Sequence, residues 1–211
     1  MASDDWYRSD AWEETAQEEF RAKLERARTQ RDFYLRIKAG AIAQSHPDAA
    51  LELYEELLGE ADGDTASIHY AMALIHWREG DVEALFEYLD LALGSEGNGL
   101  GAAGVMENAF VSGLLGRTER YARAMRLFEP WDQAALKQLG RPFVRSFAGA
   151  FGSAIILDHL GRTEEAREAA LTALEWTQIE EGPIPGHPQL GLPPQVPDDW
   201  TDRMHAIAAK S

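Results

Sequence analysis

Five residues recur unchanged in this chain: Leu115-Gly116-Arg117-Thr118-Glu119 returns as Leu160-Gly161-Arg162-Thr163-Glu164. Each copy interrupts a stretch rich in helix formers. A glycine followed by polar residues is how one helix stops and the next one starts. Arg78-Glu79-Gly80-Asp81 stands at the same place in another stretch, and Ser45-His46-Pro47-Asp48 in a fourth. Counted between residues 45, 80, 116 and 161, the breaks lie 35, 36 and 45 residues apart. One helix pair cannot bury its own apolar face, so helices that break in phase at this period are expected to stack as hairpins.

Apolar residues at helical spacing fill the intervals. Asp10 and Glu13 look like a capping box, with Trp12, Phe20 and Leu24 following, which predicts a charged first helix ending near Thr29. A second helix opens at Thr29 or Arg31 and carries Phe33, Tyr34, Ile37 and Ile42; Ser45 is placed to cap the third. Gly94 to Gly101 holds four glycines and reads as a loop. Pro130 is expected to stop the helix through Tyr121, Met125 and Phe128, leaving a short piece over 131–139. No stretch alternates with period two and no hairpin turn sits between such runs, so the class is all-α.

The unit Phe147 to Trp176 carries the pattern best: Ala154 and Leu157, the turn Gly161-Arg162, then Ala166, Ala173 and Leu174. Here the chain resembles the tetratricopeptide repeat family, whose unit is about 34 residues of two antiparallel helices. The second unit matches through Ala73 and Ala92-Leu93 but has Leu85 where alanine is usual; the third has Tyr121 there, and the first has Lys38 or Ala39 at its small position. The resemblance implies antiparallel hairpins stacked as a right-handed superhelix. It suggests a capping helix over residues 1–30, an array of about four hairpins over 31–178, and a proline-rich tail with a short helix over 179–211.

Composition limits the partners. The net charge is −16 and the pI about 4.7. Nucleic acid and anionic membrane surfaces should both be repelled. The absence of cysteine excludes thiol nucleophiles and thiolate metal sites and fits a reducing compartment. The start, Met1-Ala2-Ser3-Asp4-Asp5-Trp6, has neither a basic nor an apolar region, so a cytoplasmic location is expected.

No catalytic constellation stands out. His69 and His76 share a helix face but lie about 10.5 Å apart in rise, too far to share an ion. No nucleophile elbow and no phosphate loop occur, and the carboxylate pairs Glu55-Glu56 and Glu164-Glu165 fit solvated helix faces. We expect no enzyme activity, no cofactor and no metal. What remains is the concave face that the resemblance implies. By helical phase it takes in Leu35 and Ile42, then Tyr70, Leu74, Trp77 and Arg78, then Met106 and Phe110, then Phe151, Ile155 and Asp158. Aromatic, methionine and arginine side chains are the usual anchors of an interface, though a slip of one residue would turn several of these into core. The expected function is a scaffold for a protein or peptide partner; a structural subunit using the same face to form a homodimer is the alternative, and a sensor or enzyme with a pocket in the array is third.

The tail is expected to be extended, with six prolines over residues 183–197. Ile184, Leu190, Leu192, Val196 and Trp200 are too apolar for a plain linker. The tail should therefore pack back on the array or on a second subunit, and residues 183–200 could fill the groove.

Overall fold

The computed structural model of the chain describes residues 6–27, 29–60, 65–94, 101–139, 147–179 and 196–210, without the side chains of 60, 101–104, 106 and 131–139. Among the described residues it is all-α, with ten helices and no strand: α1 Glu14–Leu24, α2 Arg31–Ile42, α3 Pro47–Glu60, α4 Thr65–Glu79, α5 Val82–Gly94, α6 Gly101–Leu114, α7 Thr118–Leu139, α8 Phe147–His159, α9 Thr163–Thr177 and α10 Asp198–Ala208. None of these is long and apolar enough to cross a membrane. The chain divides into two compact units, Met1–Gly101 and Ala102–Ser211, at the glycine-rich stretch.

Three of the four breaks share one turn. Gly80, Gly116 and Gly161 have φ of 77°, 64° and 75°, the left-handed region that costs an L-residue about 1–2 kcal/mol. Each glycine N–H donates to the carbonyl three residues back, and the next N–H reaches five back: Asp81 to His76 at 2.9 Å, Arg117 to Ser112 at 3.0 Å, Arg162 to Leu157 at 2.9 Å. This is the Schellman arrangement, which satisfies helix-end carbonyls while reversing the chain. The arginine of the repeated pentapeptide is fixed in both copies, Arg117 donating to Glu119 at 2.6 Å and Arg162 to Glu165 and Glu129. The break at residue 45 is different. It has no glycine and no left-handed residue, and the Ser45 hydroxyl donates back to the Ile42 carbonyl at 3.4 Å rather than capping α3.

In the first unit α2 packs on α3 and α4 on α5, with α3 also against α4. Phe20, Leu24, Leu35, Ile42, Leu53, Leu57, Ile68, Met72 and Ile75 form its buried centre. The expected capping box is not made: α1 begins at Glu14, and its N-cap Glu13 makes no side-chain capping bond. Residues 6–12 are held from another direction. Lys38 is only 1 % exposed, and its ammonium donates to the carbonyls of Ser9 at 2.8 Å and Ala11 at 2.9 Å while lying over the rings of Trp12 and Phe20. A buried charge needs such partners. Burial pulls its pKa below the usual lysine value, and the charges of Asp10 and Glu13 oppose that pull.

In the second unit α9 sets Ala166, Ala169, Ala170 and Ala173 into the core, and α8 and α10 both pack on it. Small side chains at such a crossing let the backbones approach. Residues 140–146 and 180–195 lie outside the described residues, and with them most of the proline-rich segment. Pro130 does not stop α7, which runs on to Leu139. Proline removes the bond to the Arg126 carbonyl; both residues are on the exposed side, where water can take that carbonyl's place.

Candidate binding surfaces

The residues nominated from helical phase fall in both units. In the first unit, Tyr70, Leu74 and Trp77 are half-buried on α4 and Arg78 is exposed beside them, its Nε donating to the Leu74 carbonyl at 3.2 Å. Arg36 of α2 donates to the Ser67 hydroxyl of α4 at 2.5 Å. Burial pushes the Tyr54 phenol pKa up, and the positive charges of Arg36 and Arg78 work against it. Leu35 and Ile42 are fully buried, so the α2 part of the expected face is core.

The histidines of α4 meet a tyrosine that the sequence did not point to. Tyr88 of α5 stacks on His76 with ring centroids 5.2 Å apart and planes at 7°, and it lies 6.2 Å from His69. Burial holds the His69 pKa down, and its Nδ1 is buried with no hydrogen-bond partner among the described residues. Among those residues no group of three or more acidic or histidine side chains is disposed to hold a metal ion.

In the second unit the phase argument requires correction. Phe151 is 0 % exposed and Ile155 3 %, so neither lines an open groove. The reason is that every residue of α8 from Gly149 to Leu157 is buried. A helix that is apolar all round is a core helix, and phase cannot select an outward face on it. Part of its cover is α10. Trp200 lies 5.2 Å from Phe151 and 5.6 Å from Phe110, which is half-buried on α6. Met204 and Ile207 are buried one and two turns further on. Lys210 closes the contact on Asp158, with its Nζ 2.6 Å and 2.8 Å from the carboxylate oxygens. Phe110, Phe151 and Asp158 are thus brought together, on the chain's own terminal helix. Met106 belongs to α6, but its side chain is outside the described set. The signal for α10 was present as Trp200, Met204 and Ile207 at spacings of four and three, a one-sided stripe with Asp202, Arg203 and His205 between.

Two polar features accompany this face. Burial raises the carboxyl pKa of Glu107 on α6, and the neighbouring Asn108 keeps its Nδ2 buried without a partner among the described residues. No protein-family model, curated protein or solved structure matches the chain.

Proposed function

We propose that this chain is a non-catalytic scaffold of tetratricopeptide-like hairpins that binds an amphipathic helix of a protein partner. The observation that carries it is the seating of α10. Helix-in-groove recognition uses apolar anchors at i, i+4 and i+7 on a helix laid against an aromatic surface. Trp200, Met204 and Ile207 have that spacing, and they meet α8 and α9 with an ion pair at the far end. A surface that accepts this helix in cis has the chemistry to accept a similar helix in trans.

In the first unit the matching surface is the α4 row Tyr70, Leu74 and Trp77, with Arg78 at its edge. Half-buried aromatics beside an arginine are the residue types that anchor interfaces. The strong negative charge of the whole chain favours a helix with lysine or arginine outside its apolar stripe.

Selection from a library of helical peptides tests this directly. The expected result is enrichment of sequences with an aromatic residue followed by large apolar residues four and seven positions later, and loss of that enrichment with Tyr70→Ala plus Trp77→Ala. Equal recovery on the wild type and on a folded double variant would remove the α4 surface as the binding site. Light scattering of the purified chain at several concentrations separates binding of a partner from self-association, which would occupy the same surface as a dimer.

A further inference from the structure

The first unit holds a second recess with different chemistry. Between the end of α1 and the start of α2 lies a cleft of about 440 Å³, lined by Trp6, Lys23, Arg26, Gln30 and Tyr34 with Ala27 and Thr29. It is a shallow recess open to solvent, with room for a small molecule. Among the described residues that line it there is no carboxylate, in a chain of net charge −16.

The local charge is opposite to that of the molecule. Among the described residues from 21 to 32 the cations are Arg21, Lys23, Arg26 and Arg31, and the acids are Glu25 and Asp32. Arg21 and Arg31 both pair with Glu56 of α3 at 2.6 Å, which ties both sides of the cleft to the core. Lys23 and Arg26 are turned to the cleft instead.

The aromatic wall is braced. Trp6 packs on Tyr34 at 5.0 Å, on Phe20 at 5.3 Å and on Tyr7 at 5.6 Å, and Lys23 Nζ lies 5.7 Å from its ring centroid. Tyr34 is held in turn by the bond from its hydroxyl to Gln30 Oε1 at 2.7 Å. A fixed ring surface beside a lysine and an arginine suits a molecule that has both a flat ring and a doubly charged anion. Arginine grips phosphate oxygens in a fork and lysine adds a point charge. A phosphate monoester carries about −1.5 to −2 charges near neutral pH, which matches the two cations.

We infer that the Trp6–Tyr34–Lys23–Arg26 cleft binds a small molecule that carries both a flat ring and a phosphate monoester, such as a nucleoside monophosphate. This site is separate from the helix-binding surfaces proposed above. Calorimetric titration of the full chain with adenosine monophosphate, adenosine and inorganic phosphate tests it. The nucleotide should bind at least tenfold more tightly than either fragment. Lys23→Gln plus Arg26→Gln, both on exposed side chains, should weaken nucleotide and phosphate alike by tenfold or more. Trp6→Leu should weaken the nucleotide and leave phosphate unchanged. Nucleotide binding that the cation pair does not influence, or no binding by a wild-type chain shown by circular dichroism to be folded, would overturn the inference.

Discussion

His69 shows most clearly how one residue sets a condition on the fold. Its Nδ1 is buried without a partner among the described residues, and burial holds its pKa below the ordinary 6.5. Below that pH the unfolded chain binds more protons than the folded one. Stability from this residue is therefore full above about 6.5 and is lost as pH falls through the lowered folded value. Urea unfolding of wild type and His69→Phe between pH 7.5 and 5 should show the wild type losing more stability than the variant. Parallel losses would mean that the imidazole is charged in the folded chain. Lys38 makes the opposite case: it keeps its charge inside the core because two carbonyls and two rings receive it. Neither environment was legible in sequence. A histidine or a lysine at helical spacing reads the same whether it faces water or a neighbouring helix.

At the scale of elements, the sequence was most informative where backbone conformation had one solution. Gly80, Gly116 and Gly161 marked their turns because only glycine enters the left-handed region freely. It was less informative where a local preference competed with packing. The Asp10–Glu13 box lost to the docking of residues 6–12 around Lys38, and Pro130 was carried inside α7. One close helix crossing was missed altogether. A Cβ added at Gly152 of α8 would lie 2.5 Å from the Ala109 carbonyl carbon and the Phe110 nitrogen of α6, and one added at Gly113 would lie 3.2 Å from Gly152 Cα. Two backbones in contact leave no flexible side chain to yield, and overpacking of this kind costs about 1–3 kcal/mol. Gly152→Ala should lower the denaturant midpoint accordingly. A loss below about 0.5 kcal/mol, the size of an ordinary surface change, would place α6 and α8 further apart.

At the scale of the molecule, the candidate surface was legible as a set of residue types but not as an exposed face. Helical phase gathered Phe110, Phe151, Ile155 and Asp158 on one side, and Phe110, Phe151 and Asp158 do meet one element. That element is α10, and the expectation of an open face failed because α8 is buried all round. Of the apolar residues of the tail, Trp200 meets Phe110 and Phe151, while Ile184, Leu190 and Leu192 lie outside the described residues. The charge of −16 described the whole and concealed the cation-rich cleft beside Trp6. Within the second unit, the central claim is that α8, α9 and Phe110 form a receiving surface and α10 is a helix held on it. The most direct test ends the chain after residue 195 and adds back a labelled peptide of residues 196–210. The shortened chain should melt roughly 5–10 °C lower, bind the peptide with saturable anisotropy, and regain its melting temperature, with Trp200→Ala peptide failing at each step. An unchanged melting temperature together with no peptide binding would contradict the account.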